Sequence, residues 1–474
     1  RADIGWRNFF MFQRSASPDA PKKRPLPAPV RTAIDVAKSG LGSLRAQVDD
    51  RAAFDRPRPI DALLYSDGAS FTRLDGKYYE RFCDPIGERL TAMNRRWQIV
   101  TPLNRYLVPR HSPSVFIQPR LEAARMRAGV MARLPGRPRP SLEGYDDALA
   151  QMKRIAPDGH FPDVRRLASL VAYLQSFQKV YARLLDRTRP RAVFIVCYYG
   201  VEPMGLVREC RARGIATIDI QHGTISKTHW AYTHWNRLPP GGYELLPNWF
   251  WVWAPSDAET ISAWANASHG AHQAVVTGNP FLEDWRDGAH PRVVRYLRRI
   301  DEIVAPAGRR RKIIYTMNGY ESAAQLEALG EAVSRSRDTF FWWVRQHPAV
   351  QQRRESLEQA LRPENAGNYA IDDGVELPLY AVLREMDGHV TEASSTTIEA
   401  ASFGVPTVLL SREEAVMYER LIAEGWARPL CEGEDLIGTL EAQMARGALL
   451  RRGAADRDAD PIVPLEDRLR ALLA

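Results

Sequence analysis

Three stretches of the chain concentrate side chains that can move protons or hold anions. The first is Gln221-His222-Gly223-Thr224-Ile225-Ser226, trailed by His229, Trp230, Tyr232, His234 and Trp235. Histidine titrates near neutrality, so His222 beside a permissive glycine is the first candidate for a general base. A structural histidine bonded to the backbone of a tight turn is the alternative that spacing leaves open. Histidines 222, 229 and 234 do not follow zinc-ligand spacing and have no thiol or carboxylate among them, so no metal is expected. The second stretch is Cys197-Tyr198-Tyr199-Gly200-Val201-Glu202-Pro203. Its Glu202 can polarise the histidine or act as base itself; a helix-start acid favoured by the dipole is the plainer reading. The third, Thr391-Glu392-Ala393-Ser394-Ser395-Thr396-Thr397-Ile398-Glu399, runs into a helix and gathers hydroxyls and free N–H groups where an anion is favoured. Smaller groups add to it: Arg345-Gln346-His347-Pro348, Thr316-Met317-Asn318-Gly319-Tyr320, Asp372-Asp373-Gly374 and Gly278-Asn279-Pro280. His347 can donate to a phosphate and Glu399 can accept from ribose hydroxyls. Asp373 can contact a base or ribose, or simply close an Asp-Gly turn. The Gly-Asn-Pro turn is expected as a hinge or a donor-contacting loop.

Each of these groups follows a short apolar run of the kind that forms a buried parallel strand. Ala192–Val196, a helical stretch through Arg211, and Ile215–Ile220 make a βαβ unit. Trp249–Trp253 and Ala274–Thr277 continue that series, with Ala62–Tyr65 and Trp97–Val100 as earlier strands. From Val164 to Asp186, Leu167, Leu170, Val171, Leu174, Phe177, Val180, Tyr181 and Leu184 fall on one helical face, which is expected to be core. The pattern restarts with Lys312–Thr316, Phe340–Val344, Tyr369–Ile371, Gly388–Thr391 and Pro406–Leu410. The expected fold is therefore α/β: two Rossmann-like doubly wound domains facing each other across a cleft. Ligands of such sheets bind beyond the carboxyl ends of strands, which is where the reactive loops fall. The boundaries expected are an irregular basic arm over 1–60, a first domain over 61–288, a second over 289–455, and a tail or helix over 456–474.

Length and composition agree with this. At 474 residues, 45% hydrophobic and 26% charged, the chain excludes a small disulfide scaffold, a fibrous repeat and wholesale disorder. Its net charge of +8 suits anionic partners without selecting one. Cys83, Cys197, Cys210 and Cys431 form no Cys-x-x-Cys pair and read as reduced cytosolic thiols. No apolar run is long enough for a membrane span, and the start lacks the order of a signal peptide, so a cytoplasmic location is expected. Lys22-Lys23-Arg24, among prolines, reads as a solvated linker or as a contact with the anionic inner face of the membrane. The arginine run Gly308–Lys312 precedes a strand and reads as a surface patch. Asp456-Arg-Asp-Ala-Asp460 has Asp-x-Asp spacing but no strand to aim it, and reads as a solvated loop.

The ordered set Gln221-His222-Gly223, Gly278-Asn279-Pro280, His347-Pro348, Ser394-Ser395 and Glu399-Ala400 with Gly404-Val405-Pro406 resembles the GT-B glycosyltransferases that build bacterial surface polysaccharides. Within them it is most similar to the group with an HP and a double-serine motif: sialyltransferases, capsular Kdo transferases and teichoic-acid glycerophosphotransferases. The likeness runs from Val193 to Leu410. It implies a nucleotide-sugar donor, CMP-linked in preference, whose phosphate is held by His347 and by Ser394 or Ser395; the residues read above for donor binding, Thr396, Glu399, Asn318, Gly319 and Asp373, complete the expected donor site. It implies that His222 of the His-Gly pair supplies the base and that the acceptor is an oligosaccharide or lipid-linked glycan; from the loops themselves, Glu202 is expected to assist His222, and Gln221, Tyr199, His229 and Trp230 to face the acceptor. Sialyltransferases draw their base from an acidic-Gly motif of the first domain, and Asp372-Asp373-Gly374 stands too late in the chain to be that motif. No cofactor, metal or nucleic acid is implied, and inversion is expected over retention because Glu392 and Glu399 miss the retaining spacing. A glycerophosphotransferase and a sugar-nucleotide 2-epimerase are the alternative enzymes. A polyanion-binding protein is the alternative outside enzymes.

Overall fold

The computed structural model describes residues 58–102, 109–112, 114–132, 141–155, 157, 159, 161–286, 288–347, 354–392, 394–412, 414–454 and 464–474. Lys22-Lys23-Arg24 and most of the basic arm, the loop 133–140, Pro348 and Asp456–Asp460 lie outside them.

Among the described residues fifteen strands are assigned: β1 Ala62–Tyr65, β2 Phe71–Leu74, β3 Lys77–Glu80, β4 Trp97–Thr101, β5 Ser114–Phe116, β6 Ala192–Val196, β7 Ala216–Ile220, β8 Trp249–Val252, β9 Gln273–Val276, β10 Arg311–Thr316, β11 Phe340–Arg345, β12 Tyr369–Asp372, β13 Gly388–Thr391, β14 Thr407–Leu409 and β15 Ala427–Pro429. They form a seven-stranded sheet, β5-β4-β1-β6-β7-β8-β9, and a six-stranded sheet, β12-β11-β10-β13-β14-β15, both parallel. Central strands such as β6 and β11 are buried along their whole length, as continuous apolar runs require when helices cover both faces. The protein is thus α/β with two Rossmann-like, doubly wound domains. In the first sheet the order reverses between β1 and β6, in the second between β10 and β13. Such reversals open the crevices where ligands bind.

The long helix spans Val164–Thr188, with the Asp163 carboxylate accepting from the Arg166 amide at 2.7 Å as its N-cap. Leu167, Leu174, Phe177, Tyr181 and Leu184 are buried, but Val171 is 37% exposed, so the apolar stripe is wider than the face the core covers.

Two segments tie the halves together. The antiparallel hairpin β2–β3 turns at Asp75-Gly76, both at positive φ, and sends Leu74 and Tyr79 into an apolar cluster with Phe281, Trp285 and Trp343. The Arg73 amide donates to the Val375 carbonyl at 2.9 Å, and the Arg73 guanidinium pairs with Glu376 at 2.7 Å. In return the helix Leu465–Leu473 packs Leu465, Leu469 and Leu473 against Leu64, Ile86 and Phe194 of the first half.

Candidate active site

Because β6 and β7 are parallel neighbours, the loops after them sit side by side at one sheet edge. They deliver Tyr199 and His222, whose hydroxyl and Nε2 lie 2.9 Å apart. His222 Nδ1 lies 3.4 Å from the Ile220 carbonyl, a placement that favours the proton on Nδ1 and leaves Nε2 as acceptor. Burial holds the His222 pKa below the ordinary 6.5, while the Asp67 carboxylate opposes this. The imidazole is therefore neutral at physiological pH.

Around it stand rings. Tyr199 lies 5.7 Å from His229 and 5.2 Å from Trp230, centroid to centroid, and His229 lies 4.9 Å from Tyr232. Burial, with His222 adding to it, pushes the His229 imidazole down to about 4. Beneath them Asp219, 1% exposed, accepts from the Tyr232 hydroxyl at 3.0 Å and the Tyr198 amide at 3.3 Å. Its carboxyl is pushed up to about 8 by burial.

The other wall comes from the second sheet. Ser395, Met417 and Tyr418 join Tyr199, His222, Gly223, Thr224, His229 and Tyr232 around one cavity of about 210 Å³. A Cβ built on Gly223 would stand 3.9 Å from Ser395 Cβ, ordinary contact, so the two walls meet there. Beyond the first cavity lies a wider one of about 700 Å³ between the loop 224–236 and residues 416–423. Lys227 and Glu419, which line this adjoining cavity, pair at 3.5 Å.

The double serine divides its work. The Ser394 hydroxyl donates to Thr396 Oγ1 at 3.0 Å and accepts from the Thr396 amide at 3.3 Å, so Ser394 and Thr396 hold the turn. The Ser395 side chain makes no capping bond and lines the cavity. His347 lies two residues beyond the end of β11, the neighbour of β10, and Ser395 follows β13 on the other side of β10. At the usual strand spacing those two strands lie roughly 9.5 Å apart, within the span of one nucleotide. His347 is exposed, yet its imidazole is held below 6.5 by surrounding protein atoms and then by the Arg81 charge.

Several expected roles are not what the geometry gives. Glu202 does not touch His222; its charge acts on the buried Tyr65 and Tyr181 instead, and the carboxylate whose field reaches His222 is Asp67. Gln221 is 1% exposed, donates to the Gly223 carbonyl at 3.0 Å and accepts from the Trp253 amide at 2.6 Å, so it shapes the loop rather than facing a ligand. Trp230 packs on the core of the first half and does not line the cavity, whereas Tyr199 and His229 do. Asp373 accepts from the Val375 and Glu376 amides at 2.8 and 3.0 Å and closes its own turn. The Asn318 and Gly319 amides both donate to the Glu321 carboxylate, the latter at 3.0 Å, so an anion of the chain itself occupies them. Glu399 is 4% exposed and accepts from the Tyr380 hydroxyl at 2.8 Å. Tyr380 in turn accepts from Asn279 Nδ2 at 3.1 Å, which makes Gly278-Asn279-Pro280 a joint between halves, and Glu399 lines a cavity of about 270 Å³ beside Asn279.

Two residues escaped the sequence reading. Asp67, in Ser66-Asp67-Gly68 after β1, is an acidic-Gly pair at the switch point of the first sheet, and that placement was the available signal. Arg81 carries no motif. Among the described residues no group of three or more His, Cys, Asp or Glu could hold a metal ion, and no helix is long and apolar enough to cross a membrane.

No family model matches the chain, and nothing among curated proteins matches it. Among solved structures it is similar to a UDP-GlcNAc 2-epimerase from Neisseria meningitidis bound to UDP-GlcNAc, with 11% identity, 87% of this chain and 98% of that one covered, and a TM-score of 0.48. It is also similar to the glycosyltransferase SnogD from Streptomyces nogalater, with 15% identity, 88% and 100% covered, and a TM-score of 0.41. A UDP-glucosyltransferase from Polygonum tinctorium gives 13% identity, 88% and 99% coverage, and a TM-score of 0.45.

Proposed function

We propose that the protein is a metal-independent glycosyltransferase that moves a sugar from a nucleotide-activated donor, CMP-linked in preference, to a surface-glycan or lipid-linked acceptor with inversion. The observation that carries this reading is the single cavity in which His222 of one half meets Ser395 of the other. His222 Nε2, neutral and already bonded to a hydroxyl, takes the proton of an acceptor hydroxyl that replaces that of Tyr199. The acceptor oxygen then bonds to the anomeric carbon as the bond to the phosphate oxygen breaks, and the nucleotide leaves with the electron pair. Hydroxyl and imidazole donors at Ser395 and His347 stabilise that charge in a partly water-excluded groove. Asp67 stands near enough to stabilise the imidazolium that forms. Such a protein works at the cytoplasmic side, where sugar nucleotides are made.

The test is product formation. Purified protein incubated with CMP-, UDP- and GDP-sugars should release free nucleotide only when an acceptor glycan is added. Interconversion of a UDP-sugar without acceptor would mark a 2-epimerase. Transfer from CDP-glycerol would mark a glycerophosphotransferase. Steeply salt-dependent polyanion binding with no turnover would mark a binding protein.

A further inference from the structure

Between β3 and the helix Cys83–Ala92, the dipeptide Arg81-Phe82 crosses from the hairpin back to the first half. Its turn is fixed from behind. The buried Glu80 carboxylate accepts from the Phe82 amide at 3.0 Å and from the Cys83 amide, and the Arg81 amide donates to the Ser70 carbonyl at 3.1 Å. Phe82 points at the first wall, its ring 6.4 Å from His222 and 6.3 Å from Trp253. The Arg81 guanidinium lies over that ring at 5.5 Å, and its charge is felt on the other side of the groove at His347 and Tyr380. The dipeptide therefore borders His222, and its positive charge reaches His347.

The guanidinium is held only by Nε, which donates to the Ser70 carbonyl at 3.3 Å. Among the described residues both Nη atoms are without a partner and no carboxylate pairs with Arg81. Nearby arginines differ: Arg73 pairs with Glu376 at 2.7 Å, Arg89 with Asp284 at 2.6 Å and Arg95 with Asp61 at 3.4 Å. A half-buried guanidinium with two free donor nitrogens, lying over a ring that abuts His222, is a receptor for a phosphate. The placement is also prepared in advance, because the hairpin that carries Arg81 is bonded to residues 375 and 376 of the second half.

We infer that Arg81 is a phosphate-binding residue of the donor site, reaching from the first half to grip the leaving nucleotide's phosphate opposite His347. The inference rests on the sugar-nucleotide reading of the groove and adds a cation that the ordered motifs do not contain.

The experiment is calorimetric titration of CMP, UDP, cytidine and uridine into the full chain and into Arg81→Ala and Arg81→Lys, with ligand-free melting to confirm folding. Arg81→Ala should weaken the nucleotide that the wild type binds on the order of tenfold or more and leave its nucleoside within about twofold. Arg81→Lys, keeping the charge without the fork, should fall between. Equal nucleotide affinity in the folded variants overturns the inference while leaving the donor site intact. Equal loss for nucleoside and nucleotide overturns it in favour of a packing role on Phe82. If the wild type binds neither these nucleotides nor CDP and GDP titrated alongside them, the sugar-nucleotide reading fails and the inference fails with it. Should Arg81→Ala not fold, Arg81→Lys decides on the same criteria.

Discussion

On the first-sheet side of the groove the Nε2 of His222 meets the Tyr199 hydroxyl inside a nest of rings, whereas on the second-sheet side Ser395 ends in a hydroxyl with no bond of its own among the described residues. The first wall is desolvated and settled: His229 is pushed down to about 4, and Asp219 beneath it is pushed up to about 8. The second wall has turned most of its polar equipment inward. Asp373 caps its own loop, Ser394 bonds Thr396, and Glu321 sits on the Asn318 and Gly319 amides. On the proposed glycosyltransferase reading, the walls differ because their tasks differ. A base has to be neutral and pre-aimed before substrate arrives, which burial among rings achieves. A phosphate site has to release one set of partners and accept another, which exposed hydroxyls and short loops allow.

The strongest way to sharpen this contrast is to compare one deletion from each wall. His222→Ala should lower kcat by about 10²- to 10⁴-fold and leave nucleotide affinity nearly unchanged. Ser395→Ala should weaken nucleotide binding about tenfold, the loss of one hydrogen bond to a charged group, with a smaller effect on kcat. A His222→Ala enzyme that keeps full turnover would remove the first wall's role while leaving the second intact. Steady-state kinetics with separate binding titrations read both.

A smaller effect probes how the first wall is held. The Asp219 carboxyl keeps its proton in the folded state up to about 8, whereas in the unfolded chain it loses it near the ordinary 3.8. The folded state thus binds the extra proton between those values, so this group's stabilisation is complete below the lower one and declines as pH rises through the upper. Asp219→Asn has no proton to lose. The melting temperature of the wild type should therefore fall relative to Asp219→Asn between pH 5 and pH 8, by a few degrees. Parallel melting curves across that range would mean that Asp219 is not the proton-bearing support of the ring cluster.

How much of this could be read in advance follows from where the information lies. Strands β6, β7, β10, β11 and β13 announce themselves as apolar runs because both their faces are covered, and the loops after them carry His222, His347 and Ser395. The hairpin β2–β3 went unread although Asp75-Gly76, between Phe71–Leu74 and Lys77–Glu80, has the composition of a two-residue hairpin turn and both residues adopt positive φ. Its alternation is masked by Arg73 and Lys77, which face the other half and solvent. The roles of single side chains were less accessible still. Nothing local distinguishes Ser394 from Ser395, and the Asn279–Tyr380–Glu399 relay joins residues 101 positions apart, so only the folded chain could bring it together. Asp67 and Glu202 are both carboxylates after first-sheet strands; direction alone separates them, and direction depends on the neighbouring strand.

The central claim is that the groove binds a nucleotide through the second sheet, with His347 among the groups that hold it. A thermal-shift panel of CMP, CDP, UDP and GDP on the wild type and on His347→Ala tests it most directly, since a ligand that binds only the folded state raises the melting temperature. One of the four should raise the wild-type melting temperature by several degrees, and none should move the variant. No shift with any of them in the wild type, or an undiminished shift in His347→Ala, would contradict it.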